Sequence, residues 1–172
     1  MTTRHHDFIF ILFIILMSIS SGCDNIYKSG FVPIPAQTVA GPVEIGSQWM
    51  EIVSPLPLEP NGATNWIQLG YTGYEPQKFT VNEENILNLA DGRSTRIEAF
   101  LFDDKGEIYE LQLSQTSVGP QLGKKGAMKM VDGKPDYSET RFPGDRKFTK
   151  LKIRSEIPLK CEKIEWIGSN PK

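Results

Sequence analysis

The chain has 172 residues, of which 39% are hydrophobic and 23% charged, with 19 Lys and Arg against 21 Asp and Glu. That length supports one domain with a short tail, and a core large enough to stand without disulfide or metal staples. The near balance of charge excludes a general nucleic-acid binder, which needs a basic surplus, and a mean hydropathy of −0.30 excludes a polytopic membrane protein.

Met1 to Asp7 is short and polar, with a fixed positive charge at Arg4. Phe8 to Ile19 is an apolar run interrupted only by Ser18. As a helix it spans about 18 Å, against about 30 Å of bilayer hydrocarbon, which fits a secretory h-region better than a membrane span. Ser20, Ser21 and Gly22 follow, then Cys23. Small residues ending in Gly-Cys behind an h-region resemble the bacterial lipoprotein signal, although Ser20 stands where that signal usually has Leu. The resemblance implies a diacylglycerol thioether on Cys23, cleavage after Gly22 and a lipid-anchored protein facing the periplasm. Asp24, directly after the cysteine, resembles a signal for retention in the inner membrane. Residues 1–22 are then a cleaved signal peptide, 23–30 a lipidated tether and 31–172 a single domain.

Such cleavage removes His5 and His6, the only histidines. Ser-His-Asp and Cys-His catalysis and histidine-containing zinc sites are thereby excluded from the mature chain. With Cys23 acylated, Cys161 has no intramolecular disulfide partner. It alternates with Ile157 and Leu159, the pattern of a buried strand face, where a free cysteine packs as a small hydrophobe.

Val43 to Val53 has strand composition, and the proline-rich stretch Pro55 to Gly62 is expected to end that strand. Asn65 to Leu69 is a short strand, with Trp66 read as core. Tyr71 to Pro76 is a loop, and Lys78 to Val81 a further strand. Asn82 to Gly92 is expected to form a short helix or turn, with Asn82 as its cap; the alternative is a strand in which Ile86, Asn88 and Ala90 oppose Leu87 and Leu89. Thr95 to Ser114 reads as a β-hairpin. Ile97, Ala99 and Leu101 share one face, Tyr109, Leu111 and Leu113 another, and Asp103-Asp104-Lys105-Gly106 forms the bend. Phe100 and Phe102 make the first strand apolar on both faces. Ser114 to Arg146, rich in Gly and Pro, is expected to be a long loop carrying only a short strand at Ala127 to Val131. Leu151 and Ile153 then alternate with Lys150, Lys152 and Arg154. Ile164 and Trp166 have the opposite parity to Leu159 and Cys161, which requires a bulge or tight turn between them. Many short strands and almost no helix predict an all-β antiparallel sandwich of jelly-roll type, with a small β-barrel as the alternative.

Charge is uneven: residues 24–110 hold 13 acids and 5 bases, whereas residues 111–172 hold 7 acids and 13 bases. Lys150, Lys152 and Arg154 share one strand face and form a candidate site for anionic headgroups or an acidic partner. Tyr71 and Tyr74, in a Gly-containing loop, are the candidate sugar-stacking residues. Asp103, Asp104 and Glu107, with Asp132 and Asp136, offer carboxylates for hydrolysis or calcium. Their adjacency in turns supplies neither a facing pair nor an EF-hand spacing. No catalytic residue, metal or cofactor is assigned. The expected function is that of a non-enzymatic, membrane-anchored module for an envelope protein or glycan, with a carboxylate-dependent envelope hydrolase as the alternative.

Overall fold

The computed structural model describes residues 31–75, 80–81, 84–127, 129–136 and 138–171. The signal segment, Cys23 and Asp24 lie outside these. Residues 33–170 form one compact unit, which contains the whole buried core. The strands are β1 (Phe31–Pro33), β2 (Gln37–Ala40), β3 (Val43–Ile45), β4 (Met50–Leu58), β5 (Thr64–Leu69), β6 (Thr80–Val81), β7 (Ile86–Asn88), β8 (Ser94–Asp103), β9 (Ile108–Thr116), β10 (Gly119–Lys124), β11 (Lys129–Val131), β12 (Lys134–Asp136), β13 (Phe148–Ser155), β14 (Leu159–Cys161) and β15 (Ile164–Pro171). The only helical turn among the described residues is a 3-10 turn at Ser138–Thr140. The expected all-β antiparallel architecture is therefore present.

Strands β15-β5-β10-β9-β8-β13-β4 run side by side in one antiparallel sheet. Its two ends approach each other at β2. That strand pairs with β15, and its Gln37 Nε2 donates to the Leu56 carbonyl of β4 at 2.9 Å. The sheet thus nearly closes into a barrel, a geometry compatible with both the sandwich and the small barrel. Alternation along the strands fills the interior with Ile67, Leu69, Ile97, Ala99, Leu101, Leu111, Leu113, Leu122, Leu151 and Ile153, each at most 1% exposed. Phe142, Phe148, Trp166 and Tyr109 meet edge to face or tilted, with centroids 5.0–6.1 Å apart.

The β8–β9 hairpin bends where expected, with Gly106 at φ +85°. Further along, the two strands part. Asn85, at φ +56°, fills the fork. Its carbonyl accepts Ile97 N–H at 2.9 Å, and its side-chain oxygen accepts Leu113 N–H at 2.8 Å. The side-chain amide thus stands in for a missing peptide group.

Three expectations on the fold are corrected. β4 does not end before Pro55 but continues through Pro55 and Pro57. The ladder to β13 jumps from Lys150↔Val53 to Phe148↔Leu58, so both prolines lie in a bulge where no ladder N–H is required. The segment after Asn82 is not helical where it is described. Ile86–Asn88 is strand β7, paired with β8, because Leu87 and Leu89 both point inward at period two. Asn82 itself lies outside the described residues. Finally, 114–146 is not a long loop. β9 extends to Thr116 and turns directly into β10, which occupies a central place between β9 and β5. β11 and β12 form a separate small hairpin. The remaining loop sends Phe142 into the core, 7% exposed.

The required reversal between Cys161 and Ile164 is present: Leu159, Cys161, Ile164 and Trp166 are all buried. Burial pushes the Cys161 thiol up to about 11, so little thiolate forms near neutrality. Alkylation of the folded protein is expected to be slow. Cys161→Ala is expected to cost about 1–2 kcal/mol in chemical denaturation, as for a small apolar truncation. Rapid labelling would mean that this strand face is open.

Candidate functional site

The outward-facing residues of β5, β10 and β15 line an open groove of about 470 Å³. Trp66 and Gln68 come from β5, Gln121 from β10, Glu165 and Ile167 from β15. The chain leaving β5 adds Tyr71 and Tyr74, and the turn after β14 adds Glu162 and Lys163.

The walls are fixed by backbone bonds. Gly70 N–H donates to Lys163 O at 2.8 Å, and Glu162 N–H to Gly70 O at 3.0 Å. Ala90 N–H donates to Gly73 O at 3.0 Å and Glu75 N–H to Asn88 O at 2.9 Å, while Tyr74 and Leu89 form a bridge. Tyr74 Oη donates to the Ser117 carbonyl at 3.3 Å. The tyrosine loop is therefore tied to β7, to the β9–β10 turn and to the turn after β14, which fixes the shape of the groove. Burial, with a contribution from Asp91, raises the Tyr71 phenol above its ordinary value, so it stays neutral.

The polar part of the floor is an amide relay. Gln121 Nε2 donates to Gln68 Oε1 at 3.1 Å, and Gln68 Nε2 donates to Pro120 O at 3.1 Å. Gly119 makes the relay possible: its φ is +131°, and a Cβ there would run into the Gln68 amide. The Trp66 indole N–H is buried without a hydrogen-bond partner among the described residues. A buried orphan donor costs about 1–3 kcal/mol, an unmet demand beside the groove.

No protein family, known relative or solved structure matches this chain.

Tyr71 and Tyr74 are thus brought together as expected, but Trp66 is not core. It is half-buried and lines the same groove. Its parity carried the signal, since Ile67 and Leu69 point inward and leave Trp66 and Gln68 outward.

Lys150, Lys152 and Arg154 do share an outer face, but on β13, separated from β5 by β10, β9 and β8. Most of that charge is engaged locally. Arg154 Nη2 donates to both Glu98 oxygens at 2.8 Å, and Lys150 lies 3.5 Å from Glu51. Lys150 sits 4.4 Å over the Phe102 ring, while Lys152 and Arg154 lie 5.2 and 4.5 Å over Trp49. This accounts for a strand that is apolar on both faces: cationic stems and Trp49 cover Phe100 and Phe102.

The acidic residues of the β8–β9 turn form a latch. Asp103 accepts N–H bonds from Glu107 at 2.7 Å and Lys105 at 3.0 Å, and Arg146 Nη1 at 3.0 Å. Arg146 Nη2 reaches Glu107 at 3.2 Å, and Tyr109 Oη donates to Glu107 at 2.9 Å. Burial alone would raise the Asp103 carboxyl, but the two backbone N–H bonds and Arg146 outweigh it and hold the group below its ordinary value. Burial, then the Glu107 hydrogen bond, pushes Tyr109 up to about 12. Because folding depresses Asp103, its stabilisation is complete above the unfolded value near 4 and is lost as pH falls through the lower folded value. Thermal unfolding between pH 6 and 2 is expected to show a falling Tm at the acid end, with a smaller acid dependence in Asp103→Asn. An unchanged slope in that variant would remove Asp103 from the acid response.

A second, polar cleft of about 350 Å³ holds Glu84, Glu98 and Glu110 beside Arg96 and Lys125. Two of these acids are neutralised, Glu98 by Arg154 and Glu110 by Lys125 at 2.6 Å.

Proposed function

We propose that this chain is a lipid-anchored cell-envelope protein whose domain is a non-enzymatic binding module, and that its partner is a glycan held in the Trp66–Tyr71–Tyr74 groove. The observation that carries the reading is the convergence of three aromatic side chains on one preset groove with side-chain amides in its floor. Sugars offer apolar ring faces for stacking and hydroxyls for hydrogen bonding, and this lining answers both. The groove volume falls in the range of small-ligand sites, whereas a protein partner needs about 800 Å² on each side. Anchoring through Cys23 would keep the module at the membrane, facing the periplasm, where a high local concentration makes weak binding effective. The alternative, a carboxylate-dependent hydrolase, would use the cleft of Glu98 and Glu110. Cations already engage both of those acids, which argues against it.

Two measurements test the reading. Mass spectrometry of the membrane fraction is expected to find an acylated Cys23 at the mature N-terminus, and Cys23→Ser is expected to block processing. A soluble product starting elsewhere sinks the anchor. A glycan array probed with the full chain in detergent is expected to give binders that Tyr71→Ala and Tyr74→Ala weaken. Binding insensitive to both variants sinks the groove.

A further inference from the structure

Resting on the glycan reading, we infer that the ligand of this groove carries a protonated amine, so that an amino sugar is preferred to a neutral or N-acylated one. The electronegative faces of Trp66, Tyr71 and Tyr74 attract cations. The ionic lining points the same way. Glu165 is bound to Lys163 at 2.9 Å, and Lys163 is the only cationic residue of the lining. Glu162 also lines the groove and has no ion-pair partner among the described residues. Among the described residues, the groove therefore carries one carboxylate without an ion-pair partner in a lining that also holds three aromatic residues.

The backbone that carries Glu162 is held in place. The N–H of Glu162 bonds to Gly70 O, and Gly70 N–H bonds to Lys163 O, which joins the acidic turn to the chain entering the tyrosine loop. A neutral hexose leaves the charge of Glu162 unanswered, acylation removes the cation that would answer it, and an acidic sugar is repelled. An ammonium group on the sugar ring satisfies both the carboxylate and the aromatic faces.

The test titrates the full chain in detergent at low salt with three β-1,4-linked tetrasaccharides, of glucosamine, N-acetylglucosamine and glucose. Calorimetry is expected to show the glucosamine tetramer binding roughly tenfold tighter than the other two, as for one exposed ion pair plus a cation–π contact. E162Q is expected to reduce that preference to about onefold, and E51Q, on the far face, to leave it intact. Equal affinities, a preference for the acetylated tetramer, or a preference that survives E162Q would overturn the amine and leave the glycan reading standing. Failure of all three sugars to bind would overturn the glycan reading and the amine together.

Discussion

Phe148→Ala is expected to destabilise the domain by about 3–5 kcal/mol, the usual cost of removing a fully buried aromatic ring. Phe148 is 0% exposed and meets three rings: Phe142 at 5.0 Å, Tyr109 at 5.3 Å and Trp166 at 5.8 Å. These come from the loop before β13, from β9 and from β15, so one ring joins three distant parts of the chain. The neighbours cannot readily collapse into the gap, because Trp166 is itself anchored by its Nε1 donating to Glu59 O at 3.0 Å. At about 2–4 °C per kcal/mol for a chain of this size, the Tm should fall by roughly 6–20 °C. Phe102→Ala, on the outer face of β8, should cost much less, since that ring is covered by a lysine and not enclosed. A loss at Phe148 no larger than at Phe102 would mean that the aromatic cluster is not the centre of the core.

Trp66→Ala is expected to weaken glycan binding by roughly 30-fold or more, about 2 kcal/mol, the scale of an aromatic hot spot. The folded state should change little. Trp66 is paired in register with Gly123 on one side and Ile167 on the other, and its ring faces outward, so no sealed cavity is left. The same change removes a buried indole N–H that has no partner among the described residues, which offsets part of the lost packing. Trp49→Ala makes the comparison, because Trp49 belongs to the basic outer face of β13 and β8. Binding that tracks Trp49 and ignores Trp66 would move the site to that face.

The parts legible in the sequence are those where local pattern and tertiary context agree. The β8–β9 hairpin combines apolar residues at period two with the turn residues Asp103-Asp104-Lys105-Gly106. The parity change between Cys161 and Ile164 forces a turn whatever surrounds it. Context overrode local propensity elsewhere. Pro55 and Pro57 read as strand breakers, but they sit in a bulge on a strand whose ladder, among the described residues, is to β13 alone. Gly119 and Pro120 read as loop, but the glycine supplies a backbone conformation and a close approach to Gln68 that a central strand needed there. Such effects depend on neighbours remote in the chain, and strand propensity is governed by them. The groove was half legible. Tyr71 and Tyr74 stood out as aromatics in a glycine-containing loop, whereas Glu162, Glu165 and Gln121 reach it only through the order β10-β5-β15, which no local pattern encodes. The lysine stripe was legible as a face, but the carboxylates that engage it come from β4 and β8.

The three tryptophans report on three places: Trp66 in the groove, Trp49 on the basic face and Trp166 in the core. Fluorine NMR of the full chain labelled with 5-fluorotryptophan, with resonances assigned by single Trp→Phe variants, therefore tests the groove most directly. On titration with the glucosamine tetrasaccharide, the Trp66 resonance is expected to shift with saturation while those of Trp49 and Trp166 stay in place. Movement of the Trp49 resonance alone, or of none of the three, would contradict a glycan site between β10, β5 and β15.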